Sequence, residues 1–424
     1  MAHYSIVGQQ PLHGEITIAG RKNAALKLIA ASLLTDQDVT LHRIPDIGDV
    51  QIMLTILEMM GARVTRHDQN SYTINTSAVS SPEIPSAIAR KLRASLVLVG
   101  PLLARFHRVL FPHPGGCVIG KRSIEPHLDA FRQLGASISF DGTFHTIEGV
   151  VAGDHMIYLR ERSVTGTENL IMASVAGTGT TTIVNAAQEE HIGNLCDLLR
   201  SMGYTISGDG TSTIIITGTN GLQHNAATIT TLPDEIEIGT FAVASLITQG
   251  TVTLKKVGKR FGILPILTKL DEFNAQYTYS EETEELQLLP SPNLQAADIQ
   301  TNPWPGFFPD LQSPFTVLAT QAQGSSLIHD WMYEGRLYFV DHLQRMGASI
   351  VVCDPHRVLV TGPTPLEHAS VPSPDLRAGA ALVLAALVAH DRSTIEHVEI
   401  IERGYEALDI RLRALHANIE RIND

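Results

Sequence analysis

Leu57-Glu58-Met59-Met60-Gly61-Ala62-Arg63-Val64 is a phrase that this chain of 424 residues repeats. It returns as Phe131-Arg132-Gln133-Leu134-Gly135-Ala136-Ser137-Ile138, as Leu199-Arg200-Ser201-Met202-Gly203-Tyr204-Thr205-Ile206 and as Leu343-Gln344-Arg345-Met346-Gly347-Ala348-Ser349-Ile350. Weaker copies are Leu270-Asp271-Glu272-Phe273-Asn274-Ala275-Gln276-Tyr277 and Leu412-Arg413-Ala414-Leu415-His416-Ala417-Asn418-Ile419. The glycine or its replacement falls at 61, 135, 203, 274, 347 and 416, in steps of 74, 68, 71, 73 and 69 residues. A recurrence of that length means one supersecondary unit used six times. The phrase reads as a helix that ends at a left-handed residue and leads into a strand. Glycine takes that cap at least cost and asparagine next, so Asn274 and His416 are poorer choices.

Ahead of each phrase runs a segment that is apolar nearly all round: 24–34, 94–104, 168–176, 239–248, 314–321 and 378–389. A helix without a polar face belongs in the interior. Alternating strands follow most of them, such as Val39-Thr40-Leu41-His42-Arg43-Ile44 and Val252-Thr253-Leu254-Lys255-Lys256-Val257. Each unit is therefore one buried helix, one amphipathic helix and strands between them. Six units make a mixed α/β protein of two domains, three units in each.

Polar residues gather where the buried helices begin: Lys22-Asn23, Arg93, Thr165-Gly166-Thr167, Asp234 with Glu237, Asp310, and Asp375 with Arg377. Capping of free backbone amides is the plain account, and it is the expected role of Thr167 and Asp375. It does not explain Lys22, Arg93 or Arg377, because a cation there faces the positive end of the helix dipole. An anion opposite would make the arrangement favourable. Helix starts and cations aimed at one cleft form an anion trap, which points to a small ligand with phosphate or carboxylate groups.

The stretch Pro114-Gly115-Gly116-Cys117-Val118-Ile119-Gly120-Lys121-Arg122 reads as a glycine-rich loop. Its thiol is not packed among hydrophobes, and Lys121 and Arg122 beside it favour the thiolate and a bound anion. Cys196 and Cys353 read instead as buried residues, one on a helix and one on a strand.

Apolar content is ordinary and the net charge is −13, which argues against nucleic acid or anionic lipid as the main partner. Three scattered cysteines fit a reducing compartment. Met1-Ala2-His3-Tyr4-Ser5-Ile6-Val7 lacks a basic-then-apolar signal pattern, and no apolar run reaches membrane-spanning length. A soluble, cytoplasmic protein is the expectation. The 18 histidines show no zinc-site spacing, so neither a metal nor a cofactor is expected. The oligomeric state is not readable.

Gly20-Arg21-Lys22-Asn23-Ala24-Ala25, Leu92-Arg93-Ala94-Ser95, Pro114-Gly115-Gly116-Cys117, Phe308-Pro309-Asp310-Leu311-Gln312, Asp375-Leu376-Arg377-Ala378 and Glu402-Arg403-Gly404-Tyr405-Glu406 together resemble the enolpyruvyl transferases. The resemblance is strongest to the branch that uses UDP-N-acetylglucosamine and opens peptidoglycan synthesis, and it spans essentially the whole chain. It implies two inside-out α/β barrel domains of three repeats. One would run from 22 to 231, the other would combine 1–21 with 232–424, and the active site would lie in the cleft between them. Two crossings would act as a hinge, with the Cys117 loop as a lid and the UDP-sugar closing the cleft.

The resemblance further implies that the substrates are phosphoenolpyruvate and UDP-N-acetylglucosamine. Phosphoenolpyruvate would lie against Lys22, Arg122 and Arg403, with Arg336 and Arg377 as supporting cations. Asn23, Arg93 and Asp310 would hold the sugar, Met332 would touch it, and Arg122, Ser123, Ile124, Glu125 and Pro126 with Arg162, Ser163, Val164 and Thr165 would meet the nucleotide. Asp310 would take the proton of the sugar 3-hydroxyl, and Cys117 would be the general acid or a covalent nucleophile. Cell-wall biogenesis, cell shape and division would depend on the product, and fosfomycin would alkylate Cys117.

Four positions depart from the family pattern. Gly335 replaces asparagine in Glu334-Gly335-Arg336, Glu235 replaces arginine in Asp234-Glu235-Ile236-Glu237, Ser123 stands where proline is common, and Glu125 replaces aspartate. None removes a proposed catalytic group, but Ser123, Glu235 and Gly335 fall in or near sugar-binding segments. Two other readings therefore stay open: transfer to another acceptor, such as shikimate-3-phosphate or a different nucleotide, and a non-catalytic UDP-sugar sensor. The Cys117 loop speaks against the shikimate branch, and the retained Lys22, Cys117, Asp310 and Arg403 speak against the sensor.

Overall fold

The structure, a computed structural model, describes residues 2–113 and 123–423. They form two compact units, one of residues 20–113 and 123–232, the other of residues 2–19 and 233–423.

The first unit holds helices α1 (Lys22–Ala31), α2 (Gly48–Met59), α3 (Ser86–Ala89), α4 (Val99–Phe106), α5 (Glu125–Gln133), α6 (Val164–Ser174) and α7 (Glu190–Ser201). Its core is built on α1, α4 and α6. α4 packs on α6, and the 3-10 turn Arg93–Leu98 that leads into α4 packs on α1 and α6. Three sheets belong to this unit. One runs Ala227–Thr230, Val39–His42, Tyr72–Asn75, Arg63–Arg66; a second runs Thr205–Ser207, Thr213–Thr217, Thr180–Val184, His155–Tyr158; the third has Arg108–Pro112, Phe144–Glu148 and Ser137–Phe140.

The second unit holds α8 (Glu235–Ile247), α9 (Arg260–Glu272), α10 (Gln312–Gln321), α11 (Val340–Arg345), α12 (Leu376–Val388) and α13 (Leu408–Ala414). Every residue of α8 is buried, and α8, α10 and α12 pack on one another at the centre of the core. Its sheets are built around Thr251–Lys255, Gly324–His329 and Arg392–Glu396. Residues Ala2–Val7 pair antiparallel with both Arg392–Glu396 and Asn418–Asn423, so the two ends of the chain share a sheet.

The sheets share one plan. In each four-stranded sheet one edge pair is parallel and the other pairings are antiparallel. The three-stranded sheet keeps a trace of the missing edge in a single parallel bridge between Glu83 and Leu110. The six caps agree as well. Residues 61, 135, 203, 274, 347 and 416 all have φ between 56° and 106°. In each copy the next residue donates its N–H to a carbonyl five positions back, on Leu57, Phe131, Leu199, Leu270, Leu343 and Leu412, at 2.9–3.1 Å. That is the Schellman arrangement, and it satisfies carbonyls the helix end leaves free.

Two local expectations are corrected. Thr167 is not the cap of α6. Ser163 is, accepting from the Gly166 N–H at 3.1 Å, while the Thr167 hydroxyl donates to the Ser163 carbonyl. Cys353 lies on a strand as expected but is exposed, because Ser349–Asp354 is a sheet edge with an irregular register after Val352. Cys196 is buried on α7, which pushes its thiol far above the ordinary range.

Candidate active site

In the first unit the named residues sit where buried helices start. Lys22 and Asn23 form the first turn of α1, and Arg93 opens the 3-10 turn before α4. Ser163 caps α6, whose first turn holds Val164 and Thr165, and Arg162 before it is exposed. At the start of α5 Ile124 is buried, and the Ser123 hydroxyl accepts from the Glu125 N–H at 3.0 Å, closing the turn. Glu125 also pairs with Arg132 at 2.5 Å, and Pro126 sits where a missing N–H is harmless. Cys117 and Arg122 lie outside the described residues.

The cation at the head of α1 has an anion after all. Lys22 Nζ lies 2.6 Å from Asp49 Oδ2 in the first turn of α2, where a carboxylate also complements the helix dipole.

In the second unit the geometry converges on Asp310, in the turn Pro309–Leu311 that leads into α10. Arg336 donates to its Oδ1 at 2.7 Å and to the Pro309 carbonyl at 3.2 Å. Arg377, second residue of α12, donates from Nε to Oδ2 at 3.0 Å. Both guanidinium groups are buried, while Asp310 keeps 28% of its side chain exposed. Burial raises the carboxyl pKa, but Arg336 and Arg377 outweigh it and hold Asp310 well below the usual carboxylate range. The group is therefore a carboxylate held by two cations, partly open on one side.

That arrangement has its own supports. Asp375 caps α12, accepting from the N–H groups of Arg377 at 2.7 Å and Ala378 at 3.0 Å. The Arg377 guanidinium lies 5.2 Å from the Tyr405 ring centre, and the Tyr405 hydroxyl shares a hydrogen bond of 2.9 Å with Thr240 on α8. Nη1 of Arg377 is buried and has no hydrogen-bond partner among the described residues. Arg336 lies over Tyr333 at 4.9 Å and 3.8 Å from buried Asp330, whose other oxygen accepts from the Met332 N–H. Arg403 ends the 3-10 segment Val398–Arg403, which packs along α12. Glu235, at the position of a sequence departure, is buried in the first turn of α8, next to the capping Asp234.

Several partners were not read from the sequence. Asp49 and Tyr405 are examples, and so is the buried trio Lys27, Glu168 and His191 inside the first unit. The signal for that trio was present: a lysine and a glutamate within segments otherwise apolar all round. Asn169 on α6 was also missed. Its Oδ1 accepts from Gly100 N–H at 2.7 Å and its Nδ2 donates to Leu96 carbonyl at 3.0 Å, capping α4 from a different helix.

The likeness to known proteins runs the length of the chain. The sequence pattern of the family described as EPSP synthase (3-phosphoshikimate 1-carboxyvinyltransferase) matches residues 6–411. The UDP-N-acetylglucosamine 1-carboxyvinyltransferase of Treponema pallidum is 41% identical over 99% of both chains. The protein of the same name from Porphyromonas gingivalis is 40% identical over 100% of both. Among solved structures, the enolpyruvyl transferase NikO from Streptomyces tendae superposes with a TM-score of 0.89 at 23% identity, covering 100% of this chain and 99% of NikO. EPSP synthase from Acinetobacter baumannii gives 0.75 at 18%, covering both chains fully. These solved structures share the fold, and the sequence matches go further: the chain belongs to the enolpyruvyl transferase family.

Proposed function

We propose that this protein transfers the enolpyruvyl group of phosphoenolpyruvate to the 3-hydroxyl of UDP-N-acetylglucosamine and releases phosphate. The observation that carries this reading is the end-to-end likeness, at about 40% identity, to relatives that bear that activity in their names. The geometry of Asp310 fits it.

Asp310 takes the hydroxyl proton as the sugar oxygen attacks C2 of the enolpyruvate, and a proton is delivered to C3 with Cys117 as the acid. Loss of a C3 proton and of phosphate from the tetrahedral adduct then yields the enol ether. In the free protein Asp310 is a weak base, because two guanidinium groups stabilise its charge. When the anionic groups of phosphoenolpyruvate engage Arg377 and Arg403, they share that positive charge and the basicity of Asp310 rises. Nη1 of Arg377, without a hydrogen-bond partner among the described residues, is a donor for such a group. Lys22 and Arg122 offset the remaining charge. Arg336 is a further supporting cation, Asn23, Arg93, Asp310 and Met332 meet the sugar, and the Ser123–Pro126 segment and residues 162–165 meet the nucleotide. Each unit is read as an inside-out α/β barrel, and the reaction belongs to cytoplasmic cell-wall synthesis and needs no cofactor.

The test is phosphate release from phosphoenolpyruvate with UDP-N-acetylglucosamine, set beside shikimate-3-phosphate. Release only with the sugar supports the reading, and release only with the shikimate ester overturns it. Time-dependent inactivation by fosfomycin, lost in Cys117→Ser, tests the thiol. Undiminished inactivation of that variant discards the role given to Cys117.

A further inference from the structure

Beneath the first turns of α1 and α6 lies a group of ionisable side chains that the chemistry above does not use. Lys27 on α1, Glu168 on α6 and His191 on α7 are all at least 95% buried. Lys27 Nζ is 3.5 Å from Glu168 Oε2, and His191 Nε2 is 3.3 Å from Glu168 Oε1. Both distances exceed the 2.7–2.9 Å, or about that, of a close charge-assisted hydrogen bond. Burial raises the Glu168 pKa to about 7 against the pull of Lys27, so the carboxylate is costly to keep ionised. A buried pair of this kind adds little stability over apolar residues of the same volume, yet loss of one member is strongly destabilising. Packing alone therefore does not account for it.

Its place in the fold suggests what does. On a helix, residues three and four apart share a face. Lys27 lies on the same face as Asn23, one turn below it, and Glu168 lies one turn below Val164 and Thr165. His191 follows Glu190, whose carboxylate is 3.3 Å from Arg21, the residue before Lys22. α7 packs on both α1 and α6. The trio thus ties together three helices directly under the turns that carry Lys22, Asn23 and Ser163–Thr165.

We propose that Lys27, Glu168 and His191 are positioning residues that hold the first turns of α1 and α6 in the mutual register needed to grip the nucleotide sugar. This rests on the functional reading above. A charge pair fixes rotation and translation of one helix against another, whereas interchangeable apolar side chains allow slippage.

The test separates register from stability. Glu168→Gln alone leaves Lys27 buried without its counter-charge and is expected to lower the unfolding midpoint. The double variant Lys27→Met with Glu168→Gln removes both charges at similar volume and is expected to recover most of that loss. Its KM for UDP-N-acetylglucosamine is nevertheless expected to stay raised about three- to thirtyfold, with kcat and the KM for phosphoenolpyruvate within twofold of the parent. Lys27→Arg, which keeps the pair, is expected to restore the sugar KM. Should the double variant not fold, His191→Gln serves in the same assay and is expected to raise the sugar KM alone. A parental sugar KM in whichever of these folds, or equal loss in both substrates, overturns the inference. A parent protein that turns over the sugar while its variants match it sinks this inference only. A parent that neither turns over nor binds the sugar sinks the functional reading with it.

Discussion

Asp310 shows how one residue is given its properties by distant neighbours. Arg336 and Arg377 are 26 and 67 positions away, and together they keep the carboxyl ionised at any ordinary pH. A carboxyl whose folded pKa is depressed contributes stability that is present above the unfolded value of about 3.9 and lost as the pH falls through the folded value. Asp310→Asn is therefore expected to abolish turnover and to lower unfolding free energy at pH 7 by about 2–3 kcal/mol. That is less than the roughly 3–5 kcal/mol of a fully buried pair, because this carboxylate is partly exposed. The gap between parent and variant in urea unfolding should hold from neutral pH to about pH 5 and narrow at more acid pH. A gap that widens on acidification would contradict the assignment. Asn169 is a second case. Replacing it with leucine strands the Gly100 N–H and the Leu96 carbonyl, each worth about 1–3 kcal/mol when buried and unpaired. A loss of about 2–4 kcal/mol in the same measurement is expected, and a change below about 0.5 kcal/mol would show that the backbone finds other partners.

At the scale of the element, the repeated helix end is the feature most directly written in the chain. Each cap depends on hydrogen bonds reaching only five residues back, so the eight-residue phrase contains all that is needed to form it. Where glycine is absent the same conformation persists, at φ 56° for Asn274 and 69° for His416. His416→Gly is expected to stabilise the protein by about 0.5–1 kcal/mol, since a left-handed residue with a side chain costs about 1–2 kcal/mol and glycine's looser unfolded state returns part of that. Asn274→Gly should gain less, because its side chain donates to the Asn293 carbonyl at 3.1 Å. The converse change, Gly135→Ala, meets open space for its methyl and so isolates the backbone term. A loss of about 1 kcal/mol in thermal unfolding is expected there, and none would refute the cap as the source of strain. The same local reading failed at Thr167, because serine one turn earlier supplies the cap and threonine's hydroxyl is drawn back to the Ser163 carbonyl.

On the scale of the whole molecule, a ligand that binds only the folded chain raises its stability by mass action. UDP-N-acetylglucosamine at 100 times its dissociation constant is expected to add about 2.7 kcal/mol, seen as a higher unfolding midpoint that shikimate-3-phosphate does not produce. An equal shift from both compounds would count against the acceptor assigned here. Six copies of the phrase, six apolar segments and the polar residues heading them were all legible in the chain, and so was the family they resemble. These depend on spacing, periodicity and cap chemistry, which are local and survive in a linear string. The sequence alone marked Lys22 and Arg377 as cations in need of an anion, without saying which. Only the tertiary structure decided that Asp49 answers the first and Asp310 the second, that Asn169 caps a helix other than its own, and that Lys27, Glu168 and His191 meet in the dark of one core. Those pairings join residues 23 to 141 positions apart, and no local rule links their order along the chain to their distance in space.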